Sequence, residues 1–105
     1  MRLYIDDIRT PKNEYDKILR NSKETIEFLN NNKCPEFISF DHDLGGEDTS
    51  MIIVKWIINK DLDMYEKEKK HYIPESFEFN VHSANPVGTA NIICSLKSYL
   101  QFIGY

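Results

Sequence analysis

Apolar residues in this chain fall into short runs that stop abruptly, separated by longer stretches with helical spacing. Leu3, Tyr4 and Ile5 form a run that ends in Asp6 and Asp7, which predicts a buried strand over Arg2 to Ile5. Thr10-Pro11-Lys12-Asn13 breaks regular structure, and weak alternation from Tyr15 to Leu19 predicts a second, edge strand. Asn21, with Glu24 three residues later, has the form of a capping box; it opens a helix striped by Ile26 and Leu29 that stops at Asn30-Asn31-Asn32. The aromatic and β-branched content of Phe37 to Phe40 predicts a central strand, and Gly45-Gly46 permits a tight turn just past its acids. Asp48 or Thr49 caps the next helix, in which Met51, Ile52, Ile53, Val54, Trp56, Ile57 and Ile58 leave little polar surface.

Lys60 to Lys70 is mostly charged and reads as a solvated face, as a helical extension or a loop, with His71 as surface decoration. Phe77, Phe79 and Val81 alternate with Glu78, Asn80 and His82, a strand pattern with His82 at its carboxyl end. Pro86 and Gly88 turn the chain, and Ile93, Leu96, Leu100 and Ile103 mark a helix between Ala90 and Ile103. The resulting order is strand, strand, helix, strand, helix, strand, helix. That alternation predicts an α/β domain with a mostly parallel sheet flanked by helices, whose ligands bind outside the carboxyl ends of the strands.

Length and charge narrow this picture. A chain of 105 residues holds one domain, residues 1–105, with one core. A formal charge of -4 argues against a protein that grips long duplex nucleic acid, which needs a basic face; a short or terminal phosphate remains compatible. No apolar run approaches the roughly 20 residues needed to span a bilayer, so a cytoplasmic location without membrane attachment is expected. Cys34 and Cys94 form no C-x-x-C pattern and read as two free, packed thiols. Trp56, Tyr99 and Tyr105 read as core or rim packing.

Three predicted strands end in chemistry. Asp6 and Asp7 end the first, Asp41 and Asp43 the third, its expected neighbour in the sheet. Adjacent strands lie about 4.8 Å apart, so carboxylates from both can reach one cation. Their mutual repulsion is relieved by a hard divalent ion such as Mg2+, with Mn2+ as an alternative, which takes oxygen ligands and keeps room for phosphate oxygens. The plainer alternative is a set of loop acids capping turns. His42 lies between two acids and His82 beside Ser83; the pair can divide general acid and base roles, with Asp41 in the same catalytic group. The alternative is a helix-interface role for His42 and a core role for His82. Arg9 suits a phosphate or an ion pair with Asp7 or Asp43. Asn85-Pro86 aims Ser83 and nearby amides at an anion, or simply starts a helix.

The segments Ile5-Asp6-Asp7-Ile8-Arg9-Thr10-Pro11, Ser39-Phe40-Asp41-His42-Asp43-Leu44-Gly45 and Val81-His82-Ser83-Ala84-Asn85-Pro86-Val87-Gly88 together resemble the cyclic-phosphate-processing receiver-like domain family, an offshoot of the response-regulator receiver fold. The resemblance covers nearly the whole chain. It implies a compact, three-layer, flavodoxin-like domain of about four strands, lacking the final strand and helix of a full receiver, with its acid pocket turned to RNA-end chemistry. By position, Asp6 and Asp7 match the metal-binding acid pair, Asp41 the phospho-acceptor, and Ser83 the hydroxyl after the fourth strand. His42, Asp43, His82 and Asn85 match positions of the offshoot and not of ordinary receivers. The chain has no evident counterpart of the lysine that reads the phosphorylated state, and the helix between the first two strands is replaced by the Thr10 to Glu14 connection.

The function expected from these residues is a metal-assisted phosphoesterase acting on cyclic phosphates, foremost 2′,3′-cyclic RNA ends. Asp6, Asp7, Asp41 and Asp43 hold the ion, His42 and His82 transfer protons, and Arg9, Ser83 and Asn85 orient phosphate. A ligase or kinase that completes the repair is the partner this role implies. The rival readings are a receiver-like signalling module phosphorylated on Asp41, against which the missing lysine counts, and a module that binds a phosphorylated ligand without turnover.

Overall fold

The structure, a computed structural model, describes all residues from Met1 to Tyr105. Strand β1 (Arg2–Ile5) pairs on one side with β2 (Lys17–Leu19) and on the other with β3 (Phe37–Phe40), which pairs in turn with β4 (Glu78–Val81). All pairings are parallel, and the order is β2-β1-β3-β4. The edge strand is shorter than the alternation suggested, because Tyr15 and Asp16 are spent on the turn into it: the Asp16 amide donates to Arg2 O at 2.9 Å.

Helices α1 (Ser22–Asn30), α2 (Ser50–Glu68) and α3 (Pro86–Phe102) complete the chain. The crossovers from β2 to β3 and from β3 to β4 advance in the same direction, so right-handed connections lay α1 and α2 on one face of the sheet. There Leu3, Ile5, Ile38 and Phe40 join Leu29 of α1, Ile53, Val54 and Ile57 of α2, and Ile92 and Leu96 of α3 in one core. The step from β1 to β2 runs the other way and carries no helix. The third layer is therefore the 6–16 connection, whose Tyr15 ring packs on Tyr4 and near Phe37, with ring centroids 5.1 Å and 6.3 Å apart. The four-stranded receiver-like architecture agrees with expectation.

Local signals explain the helix ends. Asn21 Oδ1 accepts the Glu24 amide at 2.8 Å, as the capping box requires. Asp48 serves a different helix from the one it precedes: its carboxylate accepts the Ser22 amide at 2.8 Å, and Thr49 stands at the start of α2 without a side-chain cap. Helix α3 begins at Pro86, four residues before the apolar spacing suggested, because Asn85 Oδ1 caps it through the Gly88 amide at 2.9 Å and proline suits the first turn. Its buried stripe is Gly88, Ile92, Leu96 and Tyr99, with Ile93 on the rim. Cys34 is buried, and burial followed by the Asp61 charge pushes its thiol up to about 12; Cys94 is exposed, contrary to expectation, on the outer side of α3.

The charged stretch from Lys60 to Lys70 is helical to Glu68, but it is not solvated throughout. Asp61 is fully buried and accepts the Ile73 amide at 2.9 Å, His71 Nδ1 at 2.9 Å and the Tyr99 hydroxyl. His71 is thus no surface decoration: its ring stacks on Tyr65, with centroids 4.6 Å apart, and meets the edge of Tyr105. Burial, and then the hydrogen bond to Asp61, raise the Tyr99 hydroxyl well above its ordinary value, so Tyr99 stays a donor.

Candidate active site at the carboxyl edge of the sheet

Alternation along the strands sends Arg2, Tyr4 and Asp6 to one face, together with Phe37, Ser39 and Asp41 in register beside them. The Asp41 amide donates to Ile5 O at 2.9 Å and the His82 amide to Phe40 O at 2.8 Å, which extends the sheet one residue past β3 and β4 and brings Asp6, Asp41 and His82 into one row. Asp7 joins them from the turn after β1. Asp6, Asp7 and Asp41 each offer an oxygen within 4.8 Å of the others. Gly45 (φ 96°), in a backbone conformation that suits glycine, lies against Asp7: a methyl group built there would stand 3.5 Å from Asp7 Oδ2.

The environments of these acids differ. Asp6 is buried, which alone would raise its carboxyl; the Arg9 and Ile8 amides, donating to Oδ1 at 2.8 Å and 2.9 Å, and then the His82 ring outweigh that and hold it below its ordinary value. Asp41 is driven up, first by burial and then by the charge of Asp6, against the opposing pull of the Ser83 hydroxyl and His82. Two carboxylates of opposite tendency thus share one pocket. The raised Asp41 registers a repulsion that a cation would relieve, so the oxygen-rich donor set fits a hard divalent ion.

His82 is held on three sides. Nε2 lies 3.1 Å from Asp6 Oδ2, Nδ1 lies 2.7 Å from Ser39 Oγ, and Ser39 Oγ bonds in turn to Asn80 Oδ1. The ring stacks on Tyr4 at 4.3 Å between centroids, with planes 7° apart. Burial, then the Asp6 charge, raise the Tyr4 hydroxyl, so this platform stays neutral. Arg9 pairs with neither Asp7 nor Asp43, the ion-pair partners expected for it: Nη1 donates to His82 O at 2.9 Å and Nε lies 3.9 Å from Asp6 Oδ2, while half of its side chain remains exposed.

Other predicted residues land elsewhere. Asp43 does not join the three-carboxylate group. It lies past the end of β3, where alternation no longer governs direction, and it binds Asn85 Nδ2 at 3.2 Å and His42 Nδ1 at 3.1 Å. Those two bonds, the Asn85 one first, hold its carboxyl low. Asn85 is engaged as the α3 cap and as the partner of Asp43. His42 packs against the first turn of α3, so closely that a methyl group on Gly88 would overlap its ring. The helix-interface alternative describes its contacts. Ser83 Oγ accepts the Asn85 amide at 3.1 Å and faces Asp41.

Arg20 was not singled out by the sequence, where it is one cation at the end of an edge strand. Its Nη1 donates to Asp6 O at 3.1 Å and Arg9 O at 2.6 Å, bracing the turn that carries the acid pair. No sequence pattern marks that role.

A parallel α/β domain with acids at the carboxyl ends of two central strands and a polar group after the fourth is of receiver type. The family model of the cyclic-phosphate processing receiver domain matches residues 1–98, and the chain belongs to that family. No curated protein and no solved structure matches the chain significantly. No helix is long and apolar enough to cross a membrane.

Proposed function

We propose that this chain is a metal-assisted phosphoesterase that opens cyclic phosphates, foremost the 2′,3′-cyclic phosphate at RNA ends, in RNA repair. The observation that carries the reading is the crowding of Asp6, Asp7 and Asp41 beside His82, with Asp41 raised by burial and then by the Asp6 charge, in a member of a cyclic-phosphate processing family. The three aspartates would hold Mg2+ or Mn2+, and the bound ion supplies positive charge to the phosphate oxygens as the ester bond breaks.

The remaining work falls to the chain's own groups. Hydrolytic ring opening requires a proton taken from the attacking water and one delivered to the departing ribose oxygen. We assign that exchange to His82, the imidazole beside the acids, whose Nε2 gives up its contact with Asp6 Oδ2 to serve the ester while Ser39 and the Tyr4 ring hold the imidazole. Arg9, anchored through one nitrogen, keeps donors for phosphate, and the Ser83 hydroxyl faces the same pocket. His42 contributes by holding the Asp43–Asn85 pair under α3. A ligase or kinase that consumes the opened end is the partner class this reading calls for.

The test incubates the protein with 2′,3′-cyclic-phosphate RNA and Mg2+ or Mn2+, beside Asp41→Asn and His82→Ala. Metal-dependent ring opening, abolished by the first substitution and reduced at least a hundredfold by the second, is expected. Absence of turnover together with stable labelling of Asp41 by acetyl phosphate would replace this reading with the receiver-like phospho-acceptor.

A further inference from the structure

Nine large apolar side chains are exposed. Three are more than two-thirds exposed: Ile8 (80%), Phe102 (78%) and Val87 (70%). Phe102 ends α3, far from the acids, but Ile8 and Val87 both stand on the segments that build the site. Ile8 lies between Asp7 and Arg9; Val87 is the second residue of α3, just past Ser83 and Asn85. The two segments are tied together by the 2.9 Å bond from Arg9 Nη1 to His82 O.

Neither side chain rides on a loose loop. The Ile8 and Arg9 amides are both given to Asp6 Oδ1, and Arg20 braces the same turn from behind. Val87 is fixed by the Asn85 cap and by the close packing of Gly88 on His42. Two exposed branched apolar residues therefore stand on anchored backbone in the segments that carry Asp6, Asp7, Arg9 and Ser83. Apolar side chains presented to solvent on the segments that build a site are available to the apolar part of its ligand.

We infer that Ile8 and Val87 grip the organic part of the phosphate ester, a nucleoside whose planar base lies against these side chains while its phosphate faces Arg9 and the aspartates. The inference rests on the cyclic-phosphate reading of the same pocket and names its ligand class: a nucleotide-type ester, as opposed to a bare phosphate or a small acyl phosphate. Apolar side chains flanking a base are a common mode of reading a base held outside a duplex. Phosphate alone would leave both side chains in water.

The test measures a ratio. Binding of 3′-AMP and of inorganic phosphate, each with Mg2+, is compared by calorimetry in the wild-type chain, the Ile8→Ser/Val87→Ser double variant and Phe102→Ser. The preference for 3′-AMP over phosphate is expected to fall about tenfold in the double variant, roughly what uncovering two methylene groups predicts, and to stay put in Phe102→Ser. Circular dichroism checks that each variant folds; the substituted side chains are exposed and leave the core untouched. A ratio unaltered in the double variant, an equal fall in Phe102→Ser, or a wild-type chain that binds neither probe would overturn the inference. Because the readout is binding, it stands apart from turnover: a chain that prefers 3′-AMP through these residues but opens no ring would sink the proposed reaction and leave this inference standing.

Discussion

Asp61 and Asp41 are both buried aspartates, and their surroundings are opposite in kind. Asp61 meets only donors: an amide, an imidazole and a phenol hydroxyl share its two oxygens. Asp41 meets another carboxylate, and its own is raised in consequence of burial and that neighbour. A buried carboxylate met by donors on both oxygens joins α2, α3 and the connection from α2 to β4 into one body. A buried carboxylate set against its like works against the fold, and it persists where a cation is to be bound. The difference separates, without reference to sequence position, an acid that holds elements together from acids whose crowding fits the proposed ion.

The comparison can be broken most forcefully at Asp61. Replacing it with Ala leaves His71, the Tyr99 hydroxyl and the Ile73 amide without their shared acceptor and should cost about 3 kcal/mol, on the order of 15 °C in Tm. A thermal melt followed by circular dichroism measures it, and a loss under about 1 kcal/mol would mean water replaces the carboxylate freely. A smaller effect of opposite sign belongs to Asp41→Asn: with divalent ions chelated, removing the charge beside Asp6 should stabilise the chain by about 1 kcal/mol. The same variant should lose any rise in Tm that Mg2+ gives the wild-type chain.

The smallest effect is in pH, and its sign is fixed by the direction of the Asp41 shift. A carboxyl raised in the folded state binds its proton more tightly there than in the unfolded chain, so metal-free stability falls as pH climbs above the ordinary value of 3.8 toward the raised one. The advantage of Asp41→Asn should therefore be absent in acid, grow through that window and level off above it. Urea midpoints for both proteins at steps from about pH 3.5 to 7 would show this. Asp6, lowered in the fold, contributes with the other sign, its stabilisation fading as pH falls through its depressed value, and it is common to both proteins.

Much of the active edge was legible because strand ends are local: Leu3-Tyr4-Ile5 running into Asp6 and Phe37 to Phe40 running into Asp41 show where packing stops and polar groups begin. Alternation also separates the neighbours Asp41 and His42, since successive residues leave a strand on opposite faces; carried two residues past Phe40, it puts Asp41 with the acids and His42 with the helices. Asp43 shows where that rule stops, since beyond the strand its direction is set by Asn85 and His42. Asp61 was illegible for another reason. It is one acid in a charged helix, and its partners lie 10, 12 and 38 residues further along the chain, so no local pattern announces them. The start of α3 was displaced because Asn85 and Pro86 define it, whereas apolar spacing becomes clear only later in the helix.

Arg20 joins the least secure part of the sheet to the most demanding part of the molecule. It follows a three-residue margin strand, yet its guanidinium keeps the Asp6 and Arg9 carbonyls in place. Fraying at that margin would slacken the acid turn while the helices on the far face stayed packed, so competence at the pocket would be surrendered at temperatures where the domain as a whole is still native.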